Sequence, residues 1–131
     1  MKILRLRFKN IHSLKGEHLI DFTQKPLVNA GLFAITGATG AGKSTILDVI
    51  TLALFNKIPR FSTKGTESVS KNEIEKSGSI ITHFTNEAYA EIEYVCHDIA
   101  YRSKWSISTA RTGNLRDYEM ELATINDQKI L

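Results

Sequence analysis

Gly37-Ala-Thr-Gly-Ala-Gly-Lys43-Ser44 sets three glycines, a lysine and a hydroxyl at the spacing G-x-x-x-x-G-K-[ST], which suits the phosphates of a nucleoside triphosphate. In such a loop the glycines let the backbone curl so that successive N–H groups of residues 37–42 point into one concavity at the start of a helix. Gly37, Ala38, Thr39, Gly40, Ala41 and Gly42 are therefore the candidate phosphate cradle. Lys43 is the candidate catalytic cation against the β- and γ-phosphates, and Ser44 is spaced to reach Mg²⁺, which keeps most of its waters and takes few protein ligands. Thr45 is placed to bond phosphate from the first helical turn. ATP and Mg²⁺ are the cofactors this pattern implies.

The elements needed to position that loop are present in order. Gly31-Leu-Phe-Ala-Ile-Thr36 is an apolar run of the kind shown by a strand covered on both faces. After Lys43, Ile46, Val49, Ile50 and Ala53, with Leu47 and Leu54, follow helical spacing up to Phe55. Upstream, Leu4, Leu6 and Phe8 alternate with Arg5, Arg7 and Lys9, predicting a strand with a basic outer face open to nucleotide, DNA or solvent. Leu14 to Glu17 reads as a turn and His18 to Phe22 as the returning strand, which together make a hairpin. Residues 56–79 lack periodicity and read as a long loop, in which Lys57, Arg60, Lys64, Lys71 and Lys76 are candidates for phosphate contacts.

From Ala88 the pattern becomes an antiparallel meander. Ala90, Ile92, Tyr94 and Cys96 share one face of the first strand. Ile99, Tyr101, Ser103, Trp105 and Ile107 share a face of the second, opposite Arg102, Lys104 and Ser106, and Tyr118, Met120 and Leu122 alternate with Glu119 and Glu121. Trp105 is expected in the core rather than on a nucleobase. Val95-Cys-His-Asp98 does not serve as a Mg²⁺-positioning apolar strand, because Glu91 and Glu93 interrupt it. Lys76-Ser-Gly-Ser79 lacks the leucine and the helix of a signature loop.

Composition narrows the class. The 131 residues, 42% hydrophobic, suit one modest domain. Residues 1–64 carry ten Lys/Arg against three Asp/Glu, and residues 65–131 carry seven against eleven, so the phosphate loop sits in the basic half. Cys96 is the single cysteine; it excludes an internal disulfide and is expected to be a small buried side chain. The four histidines lack metal-ligand spacing. Ile46 to Phe55 is far short of the roughly 20 residues of a membrane span, and the charged N-terminus is unlike a signal peptide. A cytoplasmic protein with no membrane partner is expected.

The string Met1 to Glu17, then Ile20-Asp-Phe-Thr23 and Gly31 to Asp48, resembles the start of SbcC-type proteins, the SMC-like ATPase subunits of SbcCD nucleases. The likeness continues through Leu52 to Phe55, Pro59-Arg60, Ala90 to Glu93, Tyr101-Arg102, Trp105-Ser106 and Lys129 to Leu131. The resemblance implies an α/β fold: the N-terminal lobe (1–131) of a P-loop NTPase head of the ABC/SMC-like kind, with an N-terminal β-hairpin, a strand–P-loop–helix unit and an antiparallel β meander. It further implies that a coiled coil and a C-terminal lobe with the signature and Walker B elements belong to the complete protein, so hydrolysis is not expected of this lobe alone. By the same resemblance Ser13, in the turn from Asn10, lies near the nucleotide. An SbcD-like metal-dependent nuclease subunit, double-stranded DNA ends and a second ATPase head are the implied partners in DNA repair. His12, Ala38 and Asn56 stand where such proteins often have Asn, Pro and Gly. The alternatives are a small-molecule P-loop kinase, which would need its own lid and Mg²⁺-binding Asp, and a nucleotide-responsive interaction module without turnover.

Overall fold

A computed structural model describes residues 1–25, 34–38, 42–58, 81–82, 85–113, 116–126 and 131. Its elements are β1 (Lys2–Ile11), β2 (Leu14–Asp21), α1 (Lys43–Phe55), β3 (Glu87–Cys96), β4 (Ile99–Ser108) and β5 (Glu119–Thr124). The strands form one antiparallel sheet in the order β2-β1-β3-β4-β5. α1 packs across β1, β3 and β4 on one face of it.

Register explains why the helix sits where it does. Phe8, Ala90 and Trp105 stand side by side in one row of the sheet. The central strand carries only methyl groups at Ala88 and Ala90, so α1 settles into the trough between the two aromatic rings and buries Val49, Leu52 and Ala53 there. Leu6, Ile11, Ile92 and Ile107 complete the core. The C-terminal half of the helix is tied to β4 by polar bonds: the Ser103 hydroxyl donates to the Ala53 carbonyl at 2.6 Å, and Trp105 Nε1 donates to Asn56 Oδ1 at 2.9 Å. Asn56 itself takes a left-handed conformation (φ 53°) and ends the helix, its N–H bonding the Leu52 carbonyl at 3.0 Å. Asn is one of the few non-glycine residues that adopts this geometry readily.

Several expectations shift. The hairpin turn falls at His12-Ser13, two residues closing between Ile11 and Leu14, and β2 starts at Leu14 rather than His18. A bulge at Asn10, with Asn10 and His12 both at positive φ, lets the chain reverse there. Of the expected strand before the loop, residues 31–33 lie outside the described residues, while Ala34, Ile35 and Thr36 are exposed and belong to no strand. A doubly covered strand needs neighbours on both sides, and among the described residues the sheet offers it none. Residues 59–80 of the expected long loop also lie outside the described residues, as does the Lys76–Ser79 stretch. Cys96 is only partly buried, at the last position of β3. In β5, Met120 is exposed, the helix packing on β1, β3 and β4, while Ala123 on the opposite face beside Arg102 is buried.

The face away from the helix is a lattice of opposite charges. Arg5 bonds Glu93 (2.8 Å) and Asp21 (3.3 Å), Arg7 bonds Glu91 (2.9 Å), Lys9 pairs with Glu87, and Arg102 bonds Glu121 (2.8 Å). The reading of Arg5 and Arg7 as a free basic face is thereby corrected: acids from neighbouring strands neutralise them, a cross-strand pairing that alternation along β1 cannot reveal. The hydrogen bond to Glu93 raises the Arg5 pKa above its ordinary value.

Asp21 closes one corner of this lattice. Its carboxyl pKa is lowered first by the Thr23 hydroxyl, then by the Thr23 N–H and Arg5. A depressed folded-state pKa contributes stability that is present above the unfolded value of about 3.9 and lost as pH falls through the lower folded value. Thr23→Ala should therefore raise the Asp21 pKa and move that acid loss to higher pH. A carboxyl titration followed by NMR checks it; an unmoved Asp21 titration would show that Thr23 is not the cause.

Candidate functional site

Lys43 opens α1, and Gly42 caps it at φ 97°, ψ 13°. That left-handed geometry is strained for any side chain, and a Cβ at Gly42 would also meet Leu14 Cδ1 at 3.0 Å. The last glycine of the motif is thus favoured by backbone conformation, and any side chain there would also have to displace the end of Leu14. Among the described residues no side chain caps the helix and no acid occupies its first turn. Its leading N–H groups and the positive end of its dipole are left for an anion.

The Lys43 ammonium donates to the Gly37 carbonyl at 2.5 Å, so the side chain folds back along the loop and joins the first residue of the motif to the start of the helix. Gly37 and Ala38 are exposed, Ser44 is exposed on the first turn beside Lys43, and Thr39, Gly40 and Ala41 lie outside the described residues. Thr45, on the first turn of α1, is 4% exposed. Ser13 is exposed in the hairpin turn. A cleft of about 260 Å³ opens beside Gly42 and Lys43, walled by Phe8, Leu14, Ile20, Ile35 and Ile46. A second cleft of about 220 Å³ lies away from the loop, where Lys104 and Arg116 are mixed with Glu87, Asp117 and Glu119. Its mixed charge makes no anion seat.

A contact that spacing did not suggest joins the hairpin to the helix. His12 Nε2 donates to Asp48 Oδ2 at 2.9 Å, with side chains only 10% and 7% exposed. The turn is fastened further: the Asn10 amide donates to the Glu87 carbonyl and accepts from the Gly16 N–H, and the Thr82 hydroxyl donates to the His12 carbonyl. A buried aspartate inside an otherwise apolar helical pattern was the one available signal. Val95-Cys-His-Asp98 proves to be the β3–β4 hairpin, with His97 and Asp98 at φ 51° and 64°. Among the described residues no group of three or more His, Cys, Asp or Glu is placed to hold a metal ion. No helix among them is long and apolar enough to cross a membrane.

Among the described residues the start of α1 behind Gly42 bears no side-chain cap and no first-turn acid, with Lys43 bonded to Gly37, and a family model described as an AAA domain matches residues 5–130. The chain belongs to this AAA domain family. Its five-stranded antiparallel sheet and phosphate-loop helix make it α/β. Similar curated proteins include the SbcC component of nuclease SbcCD from Pseudomonas aeruginosa, 42% identical across the whole chain, and its counterpart from Rhodobacter capsulatus, 38% identical across the whole chain. A probable DNA double-strand break repair Rad50 ATPase of Aquifex aeolicus is 36% identical over 65% of the chain. The resemblance to SbcC-type proteins therefore extends over the full sequence. The chain spans 12%, 11% and 8% of the length of these three relatives.

Proposed function

We propose that this AAA domain is the ATP-binding lobe of the ATPase subunit of a DNA double-strand-break-repair nuclease complex, similar to SbcCD. The observation that carries the reading is the bare N-terminus of α1 behind Gly42, with Lys43 beside it. Gly37 to Gly42 would cradle the phosphates by their backbone N–H groups, Lys43 would meet the β- and γ-phosphates, and Thr45 and Ser13 would border the site. The hard oxygen of Ser44, exposed on the first turn, fits Mg²⁺ better than any softer ion. When bound, that ion neutralises charge on the phosphate oxygens. What the chain itself contributes is positioning and electrostatic stabilisation.

The outer face of α1 supports a lobe that works within a larger head. Leu47 and Phe55 are 62% and 61% exposed. A helix apolar on both sides is built to be covered on both. In this reading the remaining length of the protein supplies the coiled coil, the signature loop and the groups that activate water, so the lobe alone binds ATP with little or no turnover. Two heads close around ATP, and closure alters access of DNA ends to an SbcD-like nuclease subunit in the cytoplasm.

Calorimetric titration with ATPγS and Mg²⁺ tests the core of the proposal. Saturable binding competed by ATP is expected. Absence of binding, or equal binding of adenosine, would remove the phosphate-site assignment.

A further inference from the structure

We infer that His12 is a positioning residue for the phosphate loop: by holding Asp48 it fixes the N-terminal half of α1 against the hairpin, and with it the direction of the phosphate-binding amides. The inference rests on the nucleotide-site reading above. Among the described residues, polar bonds tie α1 to the sheet and its hairpin at two separated places. Ser103 and Trp105 hold its C-terminal end at Ala53 and Asn56. His12 holds Asp48, nearer the phosphate end. Leu14, two residues further along the same turn, lies against Gly42.

Lever arithmetic separates the two sets of ties. Lys43 is ten residues from Ala53, about 15 Å along the axis at 1.5 Å per residue, so a tilt of about 4° about the C-terminal end moves the leading amides by about 1 Å. Displacements of that size cost about a hundredfold where geometry matters. The His12 bond opposes that tilt because it lies between pivot and loop. The Ser103 bond lies at the pivot and has no lever arm. The turn carrying His12 cannot yield in its place, because Asn10 fastens it to β3 and Gly16, and Thr82 bonds its backbone.

The experiment measures ATPγS affinity, with Mg²⁺, for variants shown by circular dichroism to be folded at the temperature used. His12→Phe keeps a planar ring, somewhat larger than imidazole, and removes the donor; it is expected to bind about tenfold or more weakly. His12→Gln, whose amide reaches about as far as Nε2, should restore wild-type affinity. Ser103→Ala, which also removes a buried helix tie, should lower the unfolding midpoint and leave affinity unchanged. Should His12→Phe fail to fold, His12→Ala carries the same expectation without crowding. Folded His12 variants that bind like the wild type, or a Ser103→Ala variant weakened by the same factor, overturn the inference while the nucleotide site stands. A wild-type chain that binds no ATPγS overturns both.

Discussion

Lys43→Ala is expected to weaken ATPγS binding by about a hundredfold or more while leaving the melting curve nearly unchanged. Charge-assisted hydrogen bonds contribute about 1.5–3 kcal/mol each, and an ammonium facing two phosphates makes more than one. At about 1.4 kcal/mol per factor of ten, losing two such bonds exceeds a hundredfold. The amides of the loop and helix start remain, so weak phosphate affinity should persist rather than vanish. Little stability is at stake, because the described partner of Lys43 is the Gly37 carbonyl on an exposed loop. Lys43→Arg tests the geometry: it keeps the charge but replaces a compact ammonium by a planar fork too large for a close loop, and should also bind poorly. Calorimetry on both variants decides it. Wild-type affinity in Lys43→Ala would mean that phosphate is held elsewhere.

Trp105→Ala is expected to cost about 3–5 kcal/mol of folding stability. Against a typical total of about 5–15 kcal/mol, that is enough to unfold a marginal domain. Trp105 is 0% exposed, forms one wall of the trough that receives α1, and is the donor to Asn56 at the helix end. Its removal leaves a cavity beside Ala90 that the sheet cannot close, since strand spacing is held by backbone hydrogen bonds. Trp105→Phe separates the contributions: the ring volume is largely kept while the bond to Asn56 is lost, so a cost of about 1–3 kcal/mol is expected. Urea unfolding of the two variants provides the measurement. A Trp105→Ala variant within about 1 kcal/mol of wild type would show that the trough is not the centre of the core.

Periodicity locates buried residues correctly where one face of an element meets one partner. β1, β3 and the second half of β4 alternate as expected, with Leu6, Phe8, Ala90, Ile92, Trp105 and Ile107 inside, whereas Ile99 at the start of β4 is exposed. It fails where burial depends on which neighbour is present. Met120 has the parity of a core residue but lies beyond the reach of α1, and Leu47 has helical spacing but points away from the sheet. The turn is displaced from its expected place because Gly16 invites a reversal at Leu14 to Glu17. The chain instead reverses at His12-Ser13, with Gly16 (φ 86°) inside β2 and its N–H bonded to the Asn10 side chain.

The sequence by itself carried the proposal of a phosphate site, because the motif is eight consecutive residues and its backbone requirements are local. It also determined the alternation of the meander and the helix after Lys43. Tertiary structure alone decided that Arg5 and Arg7 are neutralised by Glu93, Asp21 and Glu91, and that His12 reaches Asp48 across 36 positions of chain. The physical reason is range: a loop that cradles phosphate is built from neighbouring peptide units, whereas ion pairs and helix ties depend on strand register and crossing geometry, which no local pattern encodes.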